Sequence, residues 1–266
     1  MRRNLAVLLT VTALAFIASG CEKLKARDNL NRGVQAYKNA QYTVAVEKFE
    51  QAVQLDPNFP TARLYLAMAY YSQYIPGADS PENQQMADHA LDQFQKVLQQ
   101  DPKNDIATKS IASLYYNQKK WAEAEQWYRK AIEINPRDKE GYYTLGVIAW
   151  SKWYPVYGTA RAKLGMKPDD PGPIKDKKVK EELKTQFLPL INEGTQNLQK
   201  ALDIDKEYDD AMAYMNLLVR ERADLDDTPE QYQKDIETAN GWVQKTLETK
   251  KIKAERKPVG TGINAQ

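Results

Sequence analysis

Residue types that carry acid–base, metal or nucleophilic chemistry are scarce in this chain of 266 residues. It holds one histidine, His89, and one cysteine, Cys21. Any histidine-based triad would have to use His89. Neither a cysteine zinc site nor a multi-histidine metal site can be assembled from such a count, and a disulfide framework is excluded by the same arithmetic. The run Gly260-Thr261-Gly262 lacks the Lys-Ser/Thr that completes a phosphate loop. Carboxylates are plentiful, 36 Asp plus Glu, but no spacing sets two apart from an ordinary solvated helix face. These residues point away from an enzyme. No catalytic residue, metal ligand or cofactor is assigned.

Cys21 stands out for what precedes it. Arg2 and Arg3 form a short positive region, Leu5 to Ile17 is apolar apart from Thr10 and Thr12, and the small residues Ala18, Ser19 and Gly20 lead into the cysteine. This order describes a secretory signal peptide over residues 1–20. The run Ala18-Ser19-Gly20-Cys21 resembles a bacterial lipobox, with alanine in place of leucine at the third position before the cysteine. The resemblance implies cleavage before Cys21, a diacylglycerol on its thiol and a third acyl chain on its freed amine. Several acyl chains anchor stably, since each buried CH2 contributes roughly 0.8 kcal/mol. Glu22 follows the cysteine where an aspartate would imply inner-membrane retention, so the outer membrane is favoured. Removing the two arginines of residues 1–20 from the 38 basic side chains leaves 36 against 36 acids. With no net charge the remainder has no global field to steer it toward nucleic acid or anionic lipid.

The elements that would position a binding site follow from internal periodicity. Leu55-Asp56-Pro57, Gln100-Asp101-Pro102 and Ile134-Asn135-Pro136 each end an apolar helical pattern. Pro102 and Pro136 are 34 residues apart, and Pro57 and Pro102 are 45 apart. A fourth stop, Ile204-Asp205-Lys206-Glu207, places lysine where the others have proline. The copy at 105–138 has Ala112, Tyr115, Ala124, Tyr128, Ala131 and Pro136 at repeat positions 8, 11, 20, 24, 27 and 32. The first copy matches with Gly33, Ala45, Phe49, Ala52 and Pro57, and the fourth with Leu145-Gly146, Gly194, Leu198 and Ala201. Small residues are needed where helix axes cross 8–10 Å apart, and a large apolar residue at position 24 fills the remaining space. This pattern resembles the tetratricopeptide repeat, a hairpin of helices A and B.

The resemblance implies an all-α, right-handed solenoid of about five hairpins, at about 26–59, 60–104, 105–138, 139–208 and 209–250. Extra residues in copies 2, 4 and 5 fall between helices A and B. Ser80-Pro81-Glu82 and Thr228-Pro229-Glu230 each read as an N-cap followed by proline at N1. The large insertion, about 153–187, is expected to be a loop because of Pro155, Pro168, Pro171 and Pro173 and three glycines, followed by a short helix through Val179, Leu183 and Phe187 ending at Pro189. Residues 21–26 read as a lipidated cysteine and short linker, and 251–266 as a disordered basic tail.

In the repeat the A helices line a concave groove, with positions 5, 9 and 12 on one stripe. Position 12 reads Tyr37, Tyr71, Tyr116, Trp150 and Arg220, and position 5 includes Lys109 and Tyr143. The carboxylate clamp of chaperone-binding repeats wants lysine and asparagine at positions 5 and 9 of its first copy. Leu30 and Val34 occupy them here, so that clamp is not expected. The groove residues expected to bind are Tyr37, Tyr71, Lys109, Tyr116, Asn117, Tyr143 and Trp150, because aromatics are common interface anchors. The competing reading is that they pack between adjacent repeats. The whole points to a non-enzymatic, lipid-anchored scaffold facing the periplasm, with a protein or peptide of the cell envelope as partner and no nucleic acid. The alternative is a pilotin-like or chaperone-like factor for secretion or outer-membrane assembly.

Overall fold

The computed structural model describes residues 2–167 and 169–256, without the side chains of residues 2–19. In chain order its helices are α1 Arg2–Lys38, α2 Tyr42–Leu55, α3 Pro60–Gln73, α4 Pro81–Gln100, α5 Asp105–Asn117, α6 Trp121–Ile134, α7 Lys139–Lys163, α8 Lys177–Ile204, α9 Asp209–Ala223 and α10 Pro229–Arg256. No strand occurs among the described residues. Taken in pairs these helices give the five hairpins expected from the repeat register.

The stops work through side chains as much as through proline. The Oδ1 atoms of Asp56, Asp101, Asn135 and Asp205 each accept the backbone N–H two residues on, at 3.2, 3.3, 3.2 and 2.9 Å. This local turn competes with helix continuation, which is why α8 ends at Ile204 although Lys206 replaces the proline. Hairpins 1 and 3, which carry no extra residues, turn tightly through Ala40 and Lys119 at φ 57° and 58°. In hairpins 2 and 5 the B helix is capped as expected. Ser80 Oγ accepts from Asn83 N and Thr228 Oγ1 from Gln231 N, both at 3.2 Å.

The chain forms two compact units, residues 1–127 and 128–266. In the first, α1 packs on α2, α2 on α3, α3 on α4 and α4 on α5. Phe49, Leu66, Phe94, Ile111 and Leu114 are buried at its centre. In the second, α7 packs on α8 and α9, α8 on α9, and α9 on α10. Trp153, Ile174, Ile191, Leu198 and Leu218 are buried there. The rule of small residues at axis crossings is visible at Gly146. A Cβ added there would stand 2.5 Å from Leu198 Cγ, the position-24 side chain of the same hairpin.

Three expectations are corrected. The segment 153–187 is not a loop: α7 continues through Pro155 to Lys163, and α8 runs from Lys177 through Pro189. An interior proline costs a helix about 3 kcal/mol, and burial offsets it here. Trp153 is fully buried with its ring 5.3 Å from Phe187, and Leu183 and Ile191 join the same core. Only residues 164–176 connect the two helices. Residues 21–26 are not an extended linker but part of α1. Residues 251–256 belong to α10 rather than to a tail, while 257–266 lie outside the described residues.

Candidate functional site

Three of the position-12 aromatics, Tyr37, Tyr71 and Trp150, project from A helices and have their polar ends bonded by the next A helix of the same unit. Tyr37 on α1 shares a hydrogen bond of 2.9 Å with Ser72 on α3. Tyr71 on α3 meets Ser113 on α5 at 2.7 Å, and Asn117 Nδ2 donates to its hydroxyl at 3.4 Å. Trp150 Nε1 on α7 donates to Glu221 Oε1 on α9 at 3.0 Å. Ser72, Asn117 and Glu221 all occupy repeat position 13. Each of these rungs runs from position 12 of one repeat to position 13 of the next, with the shorter Tyr71 bond going to Ser113 at position 9. The sequence signal was a polar residue directly after the aromatic stripe; of these, Asn117 was named from sequence, whereas Ser72 and Glu221 were not.

The expected groove residues fall into two groups. In the first unit Tyr37, Tyr71, Tyr116 and Asn117 are half-buried. Tyr116 lies edge-on to Trp121 at 5.5 Å. Lys109 pairs with Asp105 of its own helix at 3.1 Å. In the second unit Tyr143 and Trp150 both lie edge-on to Tyr214, at 5.7 and 5.6 Å. Tyr154 stacks on Trp150 at 4.8 Å and is 44% exposed, which makes it the most open aromatic of this cluster. The packing between repeats is what these contacts show. The rings of Tyr143 and Trp150 pack between helices and are half-buried. Cys21 is exposed on α1, and His89 is exposed on α4 beside the ring of Tyr70 at 5.0 Å.

Beyond Trp150 the extended α7 meets the end of α9. Arg161 and Asp224 form a buried ion pair. Tyr157 donates to the same Asp224 oxygen at 2.9 Å, and Arg161 Nη2 donates to the carbonyls of Lys167 and Asp170 at 2.8 and 2.6 Å. The segment 164–176 is thus fastened from within. Ile174 N donates to Asp224 O at 3.0 Å, Gly172 N to the Tyr232 hydroxyl at 3.0 Å, and Ile174 is buried. Gly172 must be glycine, because a Cβ there would fall 1.6 Å from Asp224 Oδ1.

A cavity of about 220 Å³ opens beside this cluster, lined by Tyr154, Tyr157, Arg161, Met166, Arg220 and Glu221. Burial pushes the Glu221 carboxyl up to about 7, against the pull of the Trp150 and Trp153 indoles, with Asp224 adding to the rise. Burial also raises Asp224, outweighing Tyr157 and Arg161. The Arg161 Nε and Glu221 Oε2 atoms are buried and have no hydrogen-bond partner among the described residues. Arg220 donates to Asn216 Oδ1 at 3.1 and 3.2 Å and to Asn240 Oδ1 at 2.7 Å, both neutral acceptors. Of this cluster only Arg220, at position 12, was read from sequence, because the other members come from separate segments.

Comparison with known proteins supports the repeat architecture. Residues 107–138 match the tetratricopeptide repeat family, on the copy whose sequence register is cleanest. Residues 34–120 match the family described as plant-specific mitochondrial import receptor subunit TOM20. Among curated proteins no relative matches the chain. Among solved structures, the MamA protein superposes with a TM-score of 0.59 at 13% identity, covering 88% of this chain and 96% of that one. MamA 41-end from Desulfovibrio magneticus RS-1 gives 0.56 at 16% identity, covering 85% and 96%. YrrB, described as a TPR protein with an unusual peptide-binding site, gives 0.51 at 14% identity, covering 84% and 90%. At these identities the likeness is one of fold.

Proposed function

We propose that this chain is a non-enzymatic scaffold, lipid-anchored at Cys21 in the bacterial envelope, that holds a protein or peptide partner on the A-helix faces of its repeats. The observation that carries the reading is the position-12 ladder. It holds large aromatic rings half-buried in fixed orientations, as preorganised anchors for an extended or helical segment. The solved TPR protein with a peptide-binding site supports the same use of the fold. The Ala18-Ser19-Gly20-Cys21 run, together with the exposure of Cys21 on α1, supports the anchor.

The test is crosslinking in intact envelopes followed by purification of the chain, with Cys21→Ser and Tyr154→Ala compared with the unaltered protein. Cys21→Ser is expected to abolish lipid labelling. Tyr154→Ala is expected to reduce the yield of a specific crosslinked protein, because it removes the most open ring of the second stripe without touching the ladder bonds. Membrane retention of Cys21→Ser after high-salt washing, with residues 1–20 removed, would overturn the anchor. The absence of any specific crosslinked protein would overturn the scaffold.

A further inference from the structure

We propose that the extended ends of α7 and α8 form a contact between two copies of this chain, in which the apolar face between them packs on the same face of a second copy. This contact goes beyond the scaffold reading and does not depend on it. α7 and α8 have 25 and 28 residues where α9 has 15, and their extra turns flank a groove of about 560 Å³. Val156, Ala160 and Leu164 line it from the α7 side, and Val179 and Leu183 from α8. Steps of four place each row on one helix face. Tyr157 and Arg161 turn instead to Asp224 at the end of α9, so this α7 row is not the face that holds the buried ion pair. Pro155, Val156 and Thr159 are exposed along the groove, Val156 by 39%.

The rims decide what covers this face. Lys163 stands on the α7 rim and Glu182 on the α8 rim. Both are exposed, and neither has an ion pair or hydrogen bond among the described residues. One basic rim and one acidic rim across an apolar floor complement themselves. A two-fold axis running along the groove lays α7 of one copy over α8 of the other and keeps every residue at its own height. Lys163 and Glu182 line the same cavity, so their heights are similar, and the rotation brings Lys163 of each copy to Glu182 of the other. Such a contact is isologous and closes at two copies. Each helix end then lies beside antiparallel neighbours, as in a four-helix bundle. A partner of a single sign would meet a like charge on one rim. The area is modest. Each helix end, 153–163 or 177–187, is about 16 Å long and about 10 Å wide, which gives roughly 300–400 Å² per copy. Two such faces fall below the roughly 1,200 Å² of stable complexes, so the dimer is weak and reversible.

The test is sedimentation equilibrium of the full chain in a density-matched detergent, which reads the mass of the protein alone. The wild type is expected to pass from monomer to dimer as concentration rises. Lys163→Glu and Glu182→Lys should each weaken the dimer about tenfold or more, because two exposed ion pairs become two like-charge contacts. An equimolar mixture of the two variants should associate as the wild type does, since both contacts of the mixed pair again join opposite charges. The chain that carries both exchanges should recover by itself for the same reason. Val156→Asp, which puts a charge on the apolar floor, should weaken the wild-type dimer and the mixed pair alike. All three substituted positions are exposed, and far-UV circular dichroism checks that each variant keeps its helices. Recovery in the mixture is an outcome that a merely structural effect of either substitution would not give. A wild type that stays monomeric at every concentration, a dimer that Lys163→Glu leaves unchanged, or a mixture that associates no better than its components would overturn the proposal.

Discussion

Trp150 Nε1 donates to Glu221 Oε1 at 3.0 Å, and the residue that receives this bond is only 6% exposed. Other rungs of the same register use Ser72 and Asn117, which stay neutral. Of these three rungs, this one ends on a carboxyl, which can change its charge. Burial lifts the carboxyl to about 7, well above its value in an unfolded chain. The folded state therefore binds the proton more tightly than the unfolded state. Its stability contribution is complete below about pH 4 and is lost as pH rises toward and through 7, roughly 3 kcal/mol in all. Asp226, raised to about 6 mainly by burial, acts in the same direction. Thermal unfolding should show a melting temperature that falls between pH 5 and 8, and Glu221→Gln should flatten most of that fall. A wild-type melting temperature that is level over this range would refute the assignment.

The Tyr71 rung separates a ring's role in packing from its role in binding. Tyr71→Phe keeps the ring and removes the hydroxyl that meets Ser113 and Asn117. A net loss of about 1 kcal/mol is expected from denaturant unfolding, with partner crosslinking unchanged. Tyr71→Ala also removes the ring that lies 6.5 Å from Phe94 in the core, and should cost about 3 kcal/mol or more. Equal losses from the two variants would show that the ring itself contributes nothing.

The connection 164–176 should resist protease although its composition reads as a loop. Arg161 holds two of its carbonyls, Asp224 O takes the N–H of Ile174, and Ile174 is buried. Asp224→Asn would leave the buried Arg161 charge without its partner, which costs about 3–5 kcal/mol. Trypsin should then cut at Lys175, Lys177 or Lys178 early in the variant and late in the wild type, read by mass spectrometry. Rapid cleavage of the wild type at these lysines would refute the clamp.

What the sequence disclosed depended on whether a signal was local or assembled. The helix stops at Asp56, Asp101, Asn135 and Asp205 were legible because each is an acid or amide that turns its own backbone two residues on. Gly146 and Leu198 were legible because a fixed register joins them. The extension of α7 and α8 was not, since Pro155 and Pro189 argue against a helix locally and only the burial of Trp153 and Phe187 overrides them. The candidate site divided along the same line. The aromatic stripe follows from spacing alone, whereas the meeting of Arg161, Arg220, Glu221 and Asp224 needs α7 and α9 to be placed first.

The end of α10 gives the last test. Its residues 251–256 read as polar tail, but Lys253 pairs with Asp209, and Arg256 reaches both oxygens of Glu207 at 2.8 and 2.7 Å. Asp209 opens α9 and Glu207 sits in the turn before it, so the basic end of the last helix returns to the start of its own hairpin. The side chains of Lys253, Arg256 and Glu207 are each at least 40% exposed, so solvent screens both contacts. Together they should contribute about 1 kcal/mol, and less in high salt. Lys253→Ala with Arg256→Ala should lower the unfolding midpoint modestly at low ionic strength, with most of the difference gone in 1 M salt, where the Debye length is about 3 Å. Hydrogen exchange should show faster opening of the last turns of α10 in the double variant and no change at α7. A difference that persists undiminished in salt would mean that packing by the long side chains, rather than charge, holds this end in place.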